Sequence, residues 1–295
     1  MRFGGHESFA VREGWLSRGL ELLIEEPALL VDEFAEDHLG VGRNMAKSIR
    51  HWLAASGLAK PELDEDGQLR PSKLGSLVRK KDPHLLDTGT WWMLHINLVG
   101  NPESAFTWHW FFNNWALQRF DRAPTIESLK RYAASHLARV PSARTLEHDV
   151  AVMLRSYARP IPARLDDPED SSDSPFQDLG LLLHYGASGY YQLNQSPKPI
   201  SAALFGYSLA RMPSLDGRSE LSITEAERAV GGPGRCFQIR GEDIYDLITN
   251  YEQQARGVFA LRSQAGDRGI KFVPKKSALD WARDHYATAG VMQHA

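Results

Sequence analysis

LGVGRNMAKSIRHWLAASGL, residues 39–58, is the stretch of the chain that decides the predicted fold. Gly40-Val41-Gly42 predicts a tight turn, and residues 43–56 predict a helix that Gly57 ends as its C-cap residue. Apolar side chains recur at helical spacing along one face of this helix, at Met45, Ile49, Trp52 and Leu53. The stretch therefore indicates the turn and second helix of a helix-turn-helix.

The residues on either side complete this unit. Asp32 is placed to cap a short helix that ends near Gly40, just before the turn. After Gly57, two short strand-like runs flank Asp66-Gly67, which is a β-hairpin signal. Helix, turn, helix and hairpin follow one another in the order of a winged helix-turn-helix. We expect this domain to span residues 1–100.

The charges on the predicted second helix favour DNA as its partner. Between Leu39 and Lys60 the chain has basic residues and no Asp or Glu. Arg43, Lys47 and Arg50 are spaced so that they share one helical face. Short polar side chains flank this row: Asn44, Ser48 and His51. Cations suit phosphates and short polar groups reach base edges, so the pattern predicts a recognition helix. A solvated helix face that happens to lack acids is the alternative interpretation.

Further basic residues after this helix extend the predicted positive surface: Arg70, Lys73, Lys80 and Lys81. The hairpin loop, residues 62–66, is acidic, so we expect its tip to point away from phosphates. The partner that these charges predict is double-stranded DNA.

The composition of the whole chain is that of a folded protein. Its 295 residues are 42% hydrophobic and 24% charged, which excludes a disordered or collagen-like chain. The single cysteine, Cys236, excludes a disulfide framework and a cysteine-based zinc cluster. The sequence has no signal-peptide core and no run of about 18 apolar residues, so we expect a cytoplasmic protein that makes no membrane contact. A net charge of −3 excludes only a uniformly basic nucleic-acid binder, because it averages unlike segments.

Common catalytic signatures are missing from the sequence. It contains no P-loop, no HExxH zinc motif and no GxSxG nucleophile elbow. Gly40 and Gly42 begin a dinucleotide-binding pattern, but Met45 holds the third glycine position. The sequence therefore gives no indication of ordinary metabolic chemistry.

Three further segments follow the predicted winged helix. Residues 101–160 predict a helical, aromatic-rich segment, and residues 161–175, rich in Pro, Ser and Asp, predict an acidic linker. Residues 176–295 begin with strand-like pieces and then predict a second winged-helix-like domain. Its third helix carries Glu242 and Asp246 and lacks basic residues, so we expect protein contact there, such as dimerisation. The expected fold class is mainly α with small β-hairpins (α+β).

Aromatic residues are concentrated at residues 85–120, which contain five of the eight tryptophans. Trp108, Phe111, Phe112 and Trp115 recur at the spacing of a buried helix face. A stacking platform for a flipped or single-stranded base is the alternative. The spacing favours a helix pair in the core.

Motifs spread over nearly the whole chain resemble one bacterial protein family. They are GGHESFAVREGWLSRGL (4–20), the helix-turn-helix stretch above, TWHWFFNNW (107–115), TLEHDVAVMLRSY (145–157) and GGPGRCFQI (231–239). With these motifs in this order, the chain resembles the DUF4007 family, which includes SspB-like components of single-strand DNA phosphorothioation systems. The resemblance implies a role in antiphage defence, partners that include a cysteine desulfurase, an ATPase and an ATP pyrophosphatase, and nicking of one DNA strand.

The candidate catalytic residues lie in the first of these motifs. His6 is a candidate base, Glu7 a candidate ligand for Mg²⁺, and Arg12 a candidate phosphate clamp. The structural alternative, which we favour, is that Glu7 and Arg12 pair and tie the N-terminal segment to the helical body. Asp149 and Arg155 form a second candidate pair, for which a structural role is favoured more strongly.

The sequence leaves three functions open. The chain is a DNA-nicking endonuclease, a non-catalytic DNA-binding adaptor that recruits modification enzymes, or a scaffold whose helix-turn-helix packs only against proteins. A homodimer is the default expectation, since paired half-sites double the DNA contact.

Overall fold

The computed structural model describes residues 3–161, 174–215, 217–254, 257–264, 267–273 and 276–292. The chain forms two compact units, residues 1–194 and 195–295. The first unit extends beyond the predicted linker at 161–175, most of which lies outside the described residues. The reason is visible in the first unit's sheet, where strands on both sides of that segment pair with each other.

The first unit is mainly helical. Its helices are α1 (Trp15–Glu25), α2 (Pro27–Val31), α3 (Ala35–Leu39), α4 (Arg43–Ala55), α5 (Lys73–Lys81), α6 (Thr88–Val99), α7 (Phe106–Asn114), α8 (Arg122–His136) and α9 (Ala143–Tyr157). Its strands are β1 (Arg119–Phe120), β2 (Ala158–Ile161), β3 (Leu182–Tyr185) and β4 (Tyr190–Leu193). They form one sheet in the order β1-β4-β3-β2, antiparallel except for the parallel pair β2–β3.

The aromatic residues at 85–120 form the core of this unit. Trp108, Phe111 and Phe112 are at most 2% exposed, and Trp115 is 7% exposed. Edge and stacked ring contacts join Phe111 to Phe112, Trp115 and Phe120. The prediction that this segment is core, not a stacking platform, is confirmed.

The predicted hairpin after α4 is reduced to a single bridge between Ala59 and Pro71. Two hydrogen bonds make this bridge: the amide of Lys60 donates to the carbonyl of Arg70, and the amide of Ser72 donates to the carbonyl of Leu58. Proline has no amide hydrogen, so Pro61 and Pro71 cannot donate to a longer ladder. The loop is held instead by Asp64, whose Oδ1 accepts from the amides of Asp66 and Gln68.

The second unit contains α10 (Ala202–Ala210), β5 (Glu220–Ser222), α11 (Ile223–Arg228), α12 (Pro233–Phe237), α13 (Gly241–Gln254), β6 (Phe259–Gln264), β7 (Asp267–Phe272) and α14 (Ala278–Met292). A hairpin is present as β6–β7, and β5 pairs antiparallel with β7 to give the order β5-β7-β6. The chain is therefore of mixed α+β class, with two small sheets. Across the described ranges, none of the helices has both the length and the apolar character to cross a membrane.

Candidate nucleic-acid interface

The helix-turn-helix stretch folds as α3, a turn and α4. Gly40 ends α3 with a φ of 65°, a left-handed conformation that glycine adopts without strain, and Gly42 precedes α4. The two helices pack against each other and against α1. A Cβ on Gly19 of α1 would lie 2.5 Å from Cγ2 of Ile49, so this glycine permits the close approach of α1 and α4.

The outer side of α4 presents three exposed polar side chains: Arg43, Asn44 and Lys47. Arg50 lies further along and is half-buried; burial lowers the pKa of its guanidinium, an effect that Glu36 opposes. Nε of Arg43 is 3.4 Å from a carboxylate oxygen of Glu36, and Nη2 lies 3.9 Å from one of Glu33. The positive charge of the basic row on α4 is thus partly neutralised by two acids, one that precedes α3 and one that belongs to it.

Two of the predicted base-reading residues are buried and do not reach this surface. Ser48 is fully buried, and its hydroxyl has no hydrogen-bond partner among the described residues. His51 is 7% exposed, with its ring 5.4 Å from that of Trp52 and 6.2 Å from that of His6. The expectation that both flank the exposed row is corrected: both side chains belong to the buried face of α4, and Gly5 and His6 of the N-terminal segment lie against the His51 ring.

The other predicted DNA contacts lie in the loop that follows α4 and on α5. Arg70 is bonded to Asp64, which compensates its charge. Lys73, Lys80 and Lys81 are exposed and in no ion pair with another described residue. Arg79 on the same helix is held by two carboxylates of α1, those of Glu21 and Glu25.

The candidate catalytic residue His6 belongs to a buried hydrogen-bond cluster. Its ring is 1% exposed, and Nε2 lies 3.0 Å from Oδ1 of Asp149 on α9. Nδ1 accepts from the amide of Ser8, so Nε2 carries the proton and donates it to Asp149. The same carboxylate accepts from the amide of Gly4 and from the hydroxyl of Thr107. The structure thus brings together His6 and Asp149, which the sequence placed in separate candidate pairs.

Glu7 and Arg12 do not join this cluster. Glu7 is exposed, in a turn where its φ is 48°. The Arg12 guanidinium lies 5.5 Å from the Trp15 ring and 6.0 Å from the Phe9 ring, a cation–π arrangement. Neither the predicted catalytic grouping nor the alternative Glu7–Arg12 pair is formed between these described side chains. The aromatic rings hold Arg12 instead.

The donor set around Glu7 does not fit Mg²⁺. Within the described ranges, no three His, Cys, Asp or Glu side chains lie close enough to hold a metal ion. Asp149, the carboxylate that is bonded to the neighbouring residue His6, already accepts hydrogen bonds from three donors. The acidic residues at 166–173 lie outside the described residues. Glu7 alone therefore does not make a magnesium site with its described neighbours.

The family sequence model of DUF4007, a family described as proteins of unknown function, matches residues 3–286. The chain belongs to the DUF4007 family. It is similar in fold to a magnesium ion-bound SspB crystal structure, at a TM-score of 0.83 and 24% identity, over 97% of this chain and 88% of that one. A second SspB crystal structure gives a TM-score of 0.81 at 23% identity, over 99% of this chain and 96% of the other. No curated protein matches the sequence. Membership of the family is thus established, while the likeness to SspB is one of fold.

Proposed function

We propose that this DUF4007 protein is a DNA-binding component of a bacterial DNA phosphorothioation system and that it docks on duplex DNA through α4. The observation that carries the proposal is the exposed row of Arg43, Asn44 and Lys47 on the second helix of a helix-turn-helix. The two SspB folds support the choice of system. In this proposal the residues at 59–71, although not a regular hairpin, serve as the wing of a winged helix.

The chemistry of this row suits a groove of duplex DNA. Arg43 and Lys47 are placed to neutralise phosphates, while Asn44 offers the amide that pairs with adenine in the major groove. Lys73, Lys80 and Lys81 supply further exposed charge on α5. Duplex contact through α4 requires Arg43 to exchange its carboxylate partners for phosphate. This exchange makes the affinity sensitive to salt.

The second unit has the element order of a winged helix but a different role. Its helix α13 carries Glu242, Asp243 and Asp246, a charge that repels phosphates. We therefore assign this unit to protein contact: a second copy of the chain, or the desulfurase, ATPase and ATP pyrophosphatase that the family resemblance implies.

A charge-matched pair of variants tests the docking proposal. Arg43→Ala/Lys47→Ala/Arg50→Ala is compared with Lys130→Ala/Arg131→Ala/Arg139→Ala, which removes three exposed cations from α8 and the residues after it. We expect only the first variant to weaken duplex binding and to reduce the salt slope by about 2–3, since each phosphate contact contributes about 0.9. Equal slopes for the first variant and the wild type would refute docking through α4.

The second part of the proposal is that the protein nicks one strand of the DNA to which it binds. It is tested by incubating the protein with supercoiled plasmid in the presence of Mg²⁺ or EDTA and scoring open circles. Glu7→Ala and Arg12→Gln are the informative variants, because His6→Ala also removes a buried hydrogen bond. An absence of open circles with the wild type leaves the non-catalytic adaptor as the function.

A further inference from the structure

The sheet of the first unit has one packed face and one open face. Side chains alternate along a strand, so every second residue points to the same side. Leu182 and Leu193 point to the packed side and are at most 6% exposed. Phe120 joins them there, 5.7 Å from the ring of Phe111. The intervening residues of the four strands form the opposite face, which we call the open sheet face.

Aromatic and basic side chains lie on the open sheet face. Its members are Arg119 on β1, Tyr190 and Gln192 on β4, Leu183 and Tyr185 on β3, and Arg159 and Ile161 on β2. Tyr190 is 39% exposed and Ile161 is 37% exposed, large values for such residues in a sheet. The outward positions of these strands contain no Asp or Glu.

The strand register places these side chains in two rows. Tyr190, Tyr185 and Ile161 are paired across neighbouring strands and form one row. The second row has Arg119 at one edge of the sheet and Arg159 at the other. Three strand spacings separate these two edges, about 14 Å. Two tyrosines thus lie in a row that runs beside a row with an arginine at each end.

The two arginines of this face are not neutralised by any acid among the described residues. Arg119 and Arg159 form no ion pair with any residue in the described part of the chain. Arg119 instead places its guanidinium 4.5 Å from the ring centroid of Tyr190. A planar guanidinium held over a ring presents its outer side as a further stacking surface.

We propose that the open sheet face binds single-stranded DNA. Tyr185 and Tyr190 stack with successive bases, and Arg119 and Arg159 contact the phosphates at the two edges. Bases within a duplex already stack on each other, so this surface selects single strands. The proposal does not rest on docking through α4, and either surface can fail in experiment without the other.

The test measures binding of the full-length chain to a labelled oligothymidine of about 20 nucleotides by fluorescence anisotropy. We expect Tyr185→Ala/Tyr190→Ala to weaken binding by about tenfold or more, because the loss of two stacked bases together accounts for at least that factor. Tyr185→Phe/Tyr190→Phe keeps the rings and is expected to bind like the wild type. The α4 variant Arg43→Ala/Lys47→Ala/Arg50→Ala is also expected to bind the single strand like the wild type.

A second variant keeps the test decisive if the alanine variant does not fold. Arg119→Gln/Arg159→Gln changes two exposed side chains and is expected to lower the salt slope for single strands by about 1.4, from about 0.7 for each phosphate. The proposal is overturned if the wild type does not bind the single strand. It is also overturned if a folded alanine or glutamine variant binds as the wild type does. Duplex binding, measured in parallel, reports on the surface of α4 and α5 and not on the open sheet face.

Discussion

His6 and Asp149 share a 3.0 Å hydrogen bond although 143 residues separate them in the chain. The bond joins the N-terminal segment to α9, and Gly4 and Thr107 bring two more donors to the same carboxylate. Both side chains are nearly inaccessible to water. This burial favours a structural role for His6, because a general base must reach the proton that it abstracts.

Replacing His6 with Ala is therefore expected to act on stability first. The change leaves a cavity and removes one donor from a buried acceptor, so we expect the free energy of unfolding to fall by about 2–4 kcal/mol. Urea denaturation followed by tryptophan fluorescence measures this loss. The control is Glu7→Ala, an exposed position where we expect no change. A His6→Ala protein of full stability that had lost nicking would instead identify His6 as a catalytic residue.

The sequence predicted α4 well because its signal is local. Glycines bound the helix, and its apolar positions follow the helical period. The burial of Ser48 and His51 was not predictable in this way. For His51 it arises from residues 4–9, which lie beside α4: Trp52 donates to the carbonyl of Phe9, and Gly5 approaches the His51 ring. Contacts between segments that are distant in sequence leave no local pattern.

The same limit applies to the open sheet face. The sequence indicates strand-like pieces near Tyr185 and Tyr190, but places them in the second domain. The structure pairs them with β1 and β2, which come from other parts of the chain. Arg119 and Arg159 thus meet the tyrosines only through strand pairing. The densest aromatic segment, residues 85–120, is buried, and the exposed rings of this sheet come from a different part of the sequence.

Ser48→Ala tests whether the buried Ser48 hydroxyl contributes to DNA binding. Its Oγ has no partner among the described residues, so its removal is expected to be neutral or to stabilise by up to about 1 kcal/mol. Ser56→Ala, at the C-cap of the same helix, is the matched control: its Oγ donates to the carbonyl of Trp52, and we expect a loss of about 1 kcal/mol. Thermal unfolding compares the two. Weaker duplex binding by a stable Ser48→Ala protein would contradict the buried placement.

Freeing Arg43 from its carboxylates is expected to strengthen duplex binding. Glu33→Gln/Glu36→Gln removes the two acids beside the guanidinium and also two charges that repel phosphates. We expect the affinity to rise severalfold at low salt, with little change in stability, because exposed ion pairs contribute about 0–1 kcal/mol. Anisotropy titrations over a range of salt concentrations measure this gain. The comparison variant is Asp280→Asn/Asp284→Asn, which removes two acids from ion pairs with Arg283 and Lys276 in the second unit. An equal gain in both variants would show that the affinity rises because of the change in net charge and not because of a contact made by α4.

Lys198 in the second unit gives a pH-dependent prediction. Burial lowers the pKa of its ammonium group to about 8, with Asp243 opposing the shift. The unfolded chain holds this proton up to its ordinary pKa near 10.5, so it binds more protons than the folded chain between about pH 8 and 10. The free energy of unfolding should therefore rise with pH between about pH 8 and 10. Below about pH 8 the folded chain carries the buried ammonium charge, and the full destabilising effect of its burial is present.

Lys198→Met isolates this contribution. The variant has no group to titrate at this position, so we expect it to be more stable than the wild type at pH 7 and the difference to shrink as the pH approaches 10. Burial raises the pKa of Tyr251, which opposes stability at still higher pH in both proteins and cancels in the difference. Urea titrations at pH 7, 8, 9 and about 10 supply the comparison. A difference between the two proteins that stayed constant over this range would show that Lys198 titrates alike in the folded and unfolded chains.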